Sequence, residues 1–507
     1  MVINKVDSNV VGLSFAEEVA GTPKVLPGSP IWYSLEPNGV TQFGTSIKTV
    51  ARNPLNPSRQ KRKGTVTDVD AAVAFASDVT TTNLTRLYPA FLFADAHEKA
   101  DTAPLFGTKI PITGVTGTTY TAASGLGIFK IGDIILGSNF ALPANNGIKV
   151  LSASASGSVT TTGTAVEASP AASAEIEVVG FQFTGSDATM AVSGGVATLG
   201  ATTKDLTELN LNVGEWIGVG GDATGNRFST SPAGWARVFS ISATGIVFDK
   251  VTVPFVNDAG AGKAVRIFFG KFIRNEKSPS LIKTRTYNFE GTFGNDGDGI
   301  QSEYVVGSVA NTLSINIPTA DKVTVDLGFV GLDGEIRTGL QGVKAGARID
   351  ADVVSDALNT STKVYRTALT AITSGVLQPE PLFAHLSDLK LDINNNVSAL
   401  KAVGTIGGFD INLGEFAVTG TINAYFQTLA AVQAIRNNTS VTLDIIFAAD
   451  NKGVVYDIPL LTLGDGAKQI TANEAIKLSL TTDASEGSTG YTLGVSILPY
   501  IPTILQP

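Results

Sequence analysis

Two distant stretches of the chain share one pattern, in which a broken polar run turns into an alternating strand. They are 52-RNPLNPSRQKRKGTVTDVDAAVAF-75 and 394-NNNVSALKAVGTIGGFDINLGEFAV-418. Gly64-Thr65 aligns with Gly404-Thr405, and Asp70 aligns with Asp410. Because long-range self-similarity marks a repeated structural unit, the sequence predicts two related β domains. Basic residues are concentrated in the run of the first copy only.

Each copy continues through a strand into a segment that is compatible with a helix. In the second copy the strand is 416-FAVTGTINAYF-426, where Thr419, Thr421 and Asn423 alternate with apolar residues. Thr428 can cap the helix that follows, and Asn437 or Asn438 can end it. In the first copy Pro89 allows the equivalent helix only if it starts late or kinks. The pattern predicts a half-buried strand followed by a short helix in each copy.

Composition favours an all-β protein with one or two short helices. The chain has 507 residues, of which 54 are Gly, and its hydrophobic content is 43%. This length predicts two to four domains, and β-branched runs between Gly, Asn and Asp turns predict strands. Mean hydropathy is +0.20, yet no run reaches the ~18 apolar residues of a membrane helix. We therefore expect apolar surface to be buried between subunits. The N-terminus predicts no secretion signal.

Several function classes are excluded or disfavoured by residue counts. The chain has no Cys and two His, His97 and His385, so disulfides, thiolate nucleophiles and Cys- or His-rich metal sites are not expected. A net charge of −9 argues against wrapping nucleic acid by neutralising phosphates. Asp388 and Asp392 lie on the polar side of a strand with Lys390 between them, which is typical of an exposed strand rather than of a glycosidase pair. The acidic turn 294–299 predicts a hairpin rather than a calcium loop. We expect no enzyme and no cofactor.

A second repeat lies inside the first domain. The segment 132–154 resembles 214–242, and 175–183 resembles 265–272. Short strands separated by Gly, Asn and Ser turns predict two small tandem β modules, each a sandwich or small barrel. The predicted division of the chain is residues 1–106 for the first part of domain 1, 107–187 for inserted module a, 188–272 for inserted module b, 273–375 for the rest of domain 1 with a linker, and 376–507 for domain 2.

Two groups of side chains are candidates for contacts. The basic run predicts a charge-complementary contact with a protein, and nucleic-acid binding or a solvated loop are its alternatives; the candidate inter-subunit residues are Arg52, Arg59, Lys61, Arg62 and Lys63. In the insert, Trp216 and Trp235 are the candidate exposed aromatics, although core packing is the favoured interpretation.

Four segments in order resemble the tail tube (major tail) proteins of long-tailed, non-contractile bacteriophages, the siphophage type. They are the stretch 52–75, 287-YNFEGTFGNDGDGIQSEYVVGSVANTLSINIP-318, 394-NNNVSALKAVGTIGGFDINLGEFAVTGTINAYF-426 and 457-DIPLLTLGDGAKQITANEAIKLSL-480. The resemblance spans roughly 1–105 and 275–507 and leaves the insert uncovered.

The resemblance implies duplicated tube domains of β-sandwich or partly rolled barrel fold that assemble into stacked rings around a DNA channel. A chain with two tube domains would form the six-domain ring as a homotrimer. It also implies a virion protein assembled in the host cytoplasm, whose partners are other copies, the tail terminator and tip proteins, and, transiently in the lumen, the tape measure protein and genomic DNA. The insert is expected to project outward, where host-surface contact is possible. The candidate lumen-facing residues are Asp388, Asp392, Thr419, Thr421 and Asn423. The alternatives are a surface adhesin or carbohydrate-binding protein and a capsid decoration protein.

Overall fold

The computed structural model describes residues 6–52, 55, 57, 60–81, 83–96, 109–295, 297–351, 363–372, 376–378 and 381–506. Strands dominate this part of the chain, which confirms the all-β prediction. No helix in it is both long and apolar enough to cross a membrane.

The strands fall into three groups along the chain. Before the insert lie β1 (Val11–Glu17), β2 (Ile31–Leu35), β3 (Gly39–Arg52) and β4 (Arg62–Asp78). The insert contains β5 (Ile110–Pro111), β6 (Gly114–Val115), β7 (Thr119–Thr121), β8 (Asp133–Ser138), β9 (Gly147–Val150), β10 (Ala153–Ala155), β11 (Ser158–Thr160), β12 (Glu175–Gln182), β13 (Ala188–Ser193), β14 (Val196–Ala201), β15 (Trp216–Val219), β16 (Gly234–Ser242), β17 (Gly245–Val251) and β18 (Arg266–Phe268).

After the insert the chain continues with β19 (Lys271–Arg274), β20 (Tyr287–Asn295), β21 (Ile300–Ile317), β22 (Thr324–Gly331), β23 (Asp333–Arg337), β24 (Ala347–Ile349), β25 (Val364–Ala371), β26 (Leu386–Asn394), β27 (Ser398–Leu400), β28 (Asp410–Asn412), β29 (Ala417–Tyr425), β30 (Val441–Ala449), β31 (Lys452–Gln469), β32 (Lys477–Ala484) and β33 (Gly494–Leu498). The acidic turn 294–299 joins β20 to β21, as the hairpin prediction expected.

Outside the insert, one scheme of antiparallel pairing occurs twice. In the first copy β1 pairs with β20, β20 with β21, β21 with β22 and β23, β22 with β4, and β4 with β3. In the second copy β25 pairs with β30, β30 with β31, β31 with β32 and β33, β32 with β29, and β29 with β26. Six pairings in the same order are the structural counterpart of the sequence repeat, and "first copy" and "second copy" denote these two strand sets below.

The strand register corrects the residue alignment of the two copies. Thr324 begins β22 and faces Asp78, whereas Lys477 begins β32 and faces Tyr425. Asp78 therefore corresponds to Tyr425, 347 positions later, and Asp70 corresponds to Ala417. The sequence alignment of Asp70 with Asp410 is wrong, because it matched a Gly-Thr pair inside β4 to a Gly-Thr pair in the loop between β27 and β28.

Each copy is a sandwich whose two layers share one long strand. The first part of β21 pairs with β20 and β23, and its last part pairs with β22 and β26. In the second copy β31 has the same role. Its first part pairs with β30 and β33, and its last part pairs with β32. The inner layer is therefore continuous through both copies, in the order β3-β4-β22-β21-β26-β29-β32-β31. The main hydrophobic core lies on one face of this layer.

Short helices follow β4 and β29, as predicted. In the second copy α2 (Leu429–Arg436) starts after Thr428 and ends at Asn437, although the Thr428 side chain makes no capping hydrogen bond. In the first copy a 3-10 turn, Leu84–Leu87, precedes α1 (Tyr88–Phe91), with Pro89 in the first turn of α1. Pro is tolerated there because the first turn has no internal acceptor for its missing N–H.

The insert forms a sheet that runs through both predicted modules. β12, from module a, pairs with β8 of the same module and with β18 of module b. One apolar cluster likewise contains Ile135 and Val178 together with Val238 and Ile267. Within the described residues the two modules therefore share a sheet and a core; the boundaries of the insert and its modules remain predictions.

Candidate assembly and channel surface

The inner layer exposes a polar face that is continuous across the two copies. One row of directly facing residues runs Asp326, Ser314, Asp392, Thr419, Asp483 and Thr462. The next row runs Thr324, Asn316, Lys390, Thr421, Thr481 and Gly464. Asp388 faces Asn423 on the same side. All five candidate lumen residues thus lie on this face, here called the polar face; that it lines a channel stays a prediction.

Alternation explains why the polar face is separated from the core by one layer of backbone. Successive side chains of a strand point to opposite faces, so Leu389, Leu391 and Ile393 of β26 are buried while Asp388, Lys390 and Asp392 are not. Antiparallel strands with one solvated face show this alternation of apolar and polar residues in their sequence. This face was therefore readable from the residues alone.

Acidic and neutral groups dominate the polar face. Its carboxylates include Asp326, Asp388, Asp392 and Asp483. The Lys390 ammonium pairs with Asp392 at 2.9 Å, the Asn423 amide donates to Asp388 at 2.6 Å, and Asn316 donates to Asp326 at 2.9 Å. These contacts restrain the carboxylates of Asp326, Asp388 and Asp392, and the excess of negative charge on the face repels a polyanion.

The inner layer has an open edge at each end. At one end β3 pairs with β4 alone, and at the other the last part of β31, residues 462–469, pairs with β32 alone, within the described residues. Between the two copies the corresponding strands meet, because β21 pairs with β26 in the register Asn316–Lys390 and Ile317–Leu389. An unpaired edge carries free backbone donors and acceptors and is a template for another strand.

Apolar side chains at the two open edges are exposed, whereas the corresponding side chains at the internal seam between β21 and β26 are more deeply buried. Val40 of β3 is 40% exposed, whereas Leu389, its counterpart in β26, is 3% exposed. Ile470, which follows β31, is 74% exposed, whereas its counterpart Ile317 is half-buried. The open edges thus carry apolar side chains at the positions that the internal seam covers.

The basic run lies at the tip of the hairpin β3–β4. Arg52 and Arg62 face each other at the ends of the two strands, and Lys61 and Lys63 are exposed beside them. Arg59 lies outside the described residues. The run is therefore near the open edge of β3, and its contact with another subunit stays a prediction.

Trp216 and Trp235 are fully buried, so the prediction that they are exposed aromatics of the insert is wrong, and core packing is confirmed. Both pack with Ile446, Val455 and Leu498 of the second copy. The Trp216 indole N–H donates to Asp457 at 3.0 Å, and that of Trp235 donates to the Leu505 carbonyl at 3.0 Å. The insert therefore covers the outer layer of the second copy, and the adhesin alternative loses its aromatic support.

A buried ionic network, which the sequence analysis missed, crosses the same contact. The Arg237 guanidinium donates to both Asp457 and Asp249, at 3.1 and 2.9 Å, and the Tyr491 hydroxyl donates to Asp457 at 2.7 Å. Lys250 pairs with Asp444, which Arg366 also contacts at 2.8 Å. Burial opposes the charge on Arg237, but Asp457 and Asp249 outweigh it and raise the pKa of Arg237 well above its ordinary value. The signal was available, since Asp444 and Asp457 interrupt the apolar strands 441–447 and 454–461.

The described part of the chain contains no cluster of side chains suited to a metal ion. There, no group of three or more His, Asp or Glu side chains is arranged to hold a metal ion. His97 lies outside the described residues, and His385 is exposed just before β26.

Comparison with known proteins relates part of the chain to a described family. The model of a family described as phage tail tube protein matches residues 249–484, which include β20–β23 of the first copy and most of the second. No curated protein matches the chain. The match supports a structural role as a phage tail tube protein, a virion component that assembles with itself into a tube.

Proposed function

We propose that this chain is the subunit of a siphophage-type tail tube, in which three copies close a pseudo-hexameric ring around a DNA-conducting channel. The observation that supports it is the pair of open edges, whose counterparts already meet inside the chain at β21–β26. A head-to-tail contact of this kind closes into a ring when its rotation permits. The chain would then use the same seam twice, once within a protomer and once between protomers.

The internal seam supplies a residue-level register for the seam between protomers. Asn316 faces Thr324 and Gln469 faces Lys477, so Gln469 is the counterpart of Asn316. Lys390 faces Thr421 and Gln42 faces Ala74, so Gln42 is the counterpart of Lys390. Because Asn316 faces Lys390, Gln469 of one protomer faces Gln42 of the next. Ile470 then faces Val40, and both exposed apolar side chains are covered.

Backbone pairing and apolar burial both stabilise this closure. Each strand edge gains the ladder hydrogen bonds that it lacks in the free chain. Full burial of an aliphatic side chain contributes roughly 1.5–3 kcal/mol, so Val40 and Ile470 contribute at most ~3–6 kcal/mol to a seam. A closed ring leaves no inner edge open, whereas a linear chain of protomers always leaves two.

The polar face would line the channel, with Asp388, Asp392, Thr419, Thr421 and Asn423 toward the lumen. Like charge keeps a duplex off the wall, so that the DNA passes without being held. The tape measure protein occupies the same lumen before DNA passes. The tail terminator and tip proteins bind the two ends of the tube, and assembly takes place in the host cytoplasm.

The insert would decorate the outside of the tube. It packs on the outer layer of the second copy, on the side of the core opposite the polar face. In this arrangement the first tube domain comprises residues 1–106 and the part of 273–375 that precedes β25. The second comprises β25, which pairs with β30, together with residues 376–507. The insert occupies 107–272. Each ring then carries three inserts, one on every second tube domain.

Cysteine pairs test the ring directly, because the chain contains no Cys. A variant with Gln42→Cys and Gln469→Cys is expected to give, on mild oxidation, covalent dimers and trimers on a denaturing gel. The matched control, Asn316→Cys with Lys390→Cys, places the same pair at the internal seam and is expected to cross-link within one chain. If the first variant remains monomeric while the control closes its disulfide, the proposed seam is refuted.

A further inference from the structure

We infer that the basic tip of the first copy is a clamp that binds an acidic edge of the neighbouring protomer, at Glu415 and Glu486. This inference rests on the proposed ring. The "first arm" denotes the described residues of 48–68 at the end of the hairpin β3–β4, and the "second arm" denotes 396–415 at the equivalent place in the second copy.

The second arm shows how an arm contacts the copy beside it. The Lys401 ammonium binds the carboxylates of Asp68 and Asp70 on β4 of the first copy. Further along the same arm, the Gly408 N–H donates to the Leu332 carbonyl, at 3.0 Å. Both contacts are made across the internal seam. An arm therefore spans the seam and binds the adjacent copy by one ionic and one backbone contact.

The strand registers carry the backbone contact and one acidic acceptor over to the seam between protomers. In the first arm Arg52 faces Arg62, and in the second arm Leu400 faces Asp410, with nine residues between the partners in each case. Arg62 therefore corresponds to Asp410, and Gln60 corresponds to Gly408. By the same spacing Asn53 takes the sequence position of Lys401, so the cation at this seam comes from a neighbouring basic residue of the arm. On the receiving side, Glu415 is the counterpart of Asp68, by the same spacing that relates Asp78 to Tyr425. Leu332 corresponds to Ser485 by the spacing that relates Thr324 to Lys477. Lys61, next to Gln60, therefore lies beside Glu486, next to Ser485.

Charge on the two sides is complementary. The described residues of the first arm include Arg52, Lys61, Arg62 and Lys63, all exposed. Glu415 is exposed, and within the described part of the chain no cation pairs with its carboxylate. The Glu486 side chain is 47% exposed, and its carboxylate pairs with an exposed lysine, Lys277, at 2.7 Å. The acidic edge is thus accessible to the arm of another protomer.

The free first arm carries an unfavourable arrangement that an acidic partner would relieve. Arg52 and Arg62 face each other on adjacent strands, and directly opposed like charges destabilise an antiparallel pair. Carboxylates placed beside them convert this repulsion into attraction. A nucleic-acid phosphate has the same sign, but the arm lies at a seam whose internal counterpart binds protein carboxylates. We therefore assign the arm to a second copy of this chain.

The contact makes ring closure sensitive to salt. Interactions between exposed charges are largely screened beyond a Debye length, which is about 10 Å at 0.1 M and about 3 Å at 1 M ionic strength. The ladder hydrogen bonds and apolar contacts of the seam are not screened in this way. Higher salt should therefore weaken the trimer without abolishing it.

Charge reversal tests the inference on the full chain. The variant K61E/K63E is expected to raise the trimer dissociation constant about tenfold at 50 mM salt, measured by sedimentation, and to lose most of the salt dependence. Adding Glu415→Lys and Glu486→Lys to it is expected to restore the native value. The control K149E/K263E changes the net charge equally on the insert and is expected to leave the trimer unchanged, and circular dichroism checks that all variants fold.

The outcomes separate this inference from the proposed ring. If the native chain forms no trimer, and Gln42→Cys/Gln469→Cys gives no cross-link, the ring itself fails. If trimer and cross-link form but K61E/K63E behaves like its control, only the clamp is overturned. The clamp is also overturned if K61E/K63E lowers binding to double-stranded DNA while leaving the trimer unchanged, because the arm would then be a nucleic-acid contact.

Discussion

The buried network between the insert and the second copy gives a prediction with a definite size. The substitution Arg237→Met removes the guanidinium that bridges Asp457 and Asp249, whose side chains are 1% and 25% exposed. Removing one partner of a buried ion pair typically costs ~3–5 kcal/mol, since it leaves an uncompensated charge. Tyr491 and Trp216 still donate to Asp457, so we expect the lower end, ~3 kcal/mol.

Tryptophan emission reports on this contact, because two of the three Trp residues are buried in it. Urea slopes are ~1–3 kcal/mol per M for small proteins, so we expect the first unfolding transition of R237M to shift down by ~1–3 M urea. The control is Lys277→Met, which removes an exposed pair with Glu486 and should cost at most ~1 kcal/mol.

A double substitution decides whether the unpaired charge causes the loss. In R237M/D457N the buried carboxylate is also neutralised, so most of the lost stability should return. The reasoning is refuted if R237M costs no more than K277M, or if the effects of Arg237→Met and Asp457→Asn simply add.

Three further predictions concern the insert and the internal seam. Burial raises the pKa of Asp133 from 3.8 to about 7. Between pH 4 and 7 the folded chain therefore keeps a proton on Asp133 that the unfolded chain has lost, and the stability of the native protein falls as the pH rises. The variant D133N has no such carboxyl, so in urea titrations it should be more stable than the native chain by up to ~4 kcal/mol at pH 8 and by almost nothing at pH 4. Deleting residues 109–268 exposes the apolar face of the second copy and removes Arg237 from Asp457 and Lys250 from Asp444, which keeps only its contact with Arg366 among the described residues. The product should therefore aggregate, and soluble protein that forms tubes would contradict this. Asn395 is buried, and its amide donates to the Phe91 and Ala310 carbonyls across the internal seam. The variant N395A should therefore lower the unfolding free energy by ~1–3 kcal/mol, whereas the control T421A, on the exposed polar face, should change it by less than ~0.5 kcal/mol. Equal effects of the two substitutions would refute a role of Asn395 in the seam.

Local pattern made the strands and the polar face predictable from the sequence. Thr419 and Thr421 are exposed and Val418 and Ile422 are buried, because alternation along a strand is set by backbone geometry. The helix α2 was predictable for the same local reason, since a threonine precedes it and asparagines end it. The sequence repeat also indicated that a strand arrangement occurs twice, although it did not give the exact register.

Features that depend on distant contacts were not predictable from the sequence. The alignment of Asp70 with Asp410 failed because sequence similarity does not reveal which strand a residue faces; the pairing with β22 and β32 does. Trp216 and Trp235 were candidates for exposure because the surface that buries them belongs to strands more than 200 residues later. The charges that hold the insert were similarly hidden, since Arg237 and Asp457 become partners only in the folded chain.

The structure of the assembled tube by electron cryomicroscopy tests the central claim most directly. The account predicts rings of three chains in which Gln469 of each chain faces Gln42 of the next, with the polar face turned toward a central hole and the insert outside. A ring with another number of chains, open edges at β3 or β31, or a polar face turned away from the hole would contradict it.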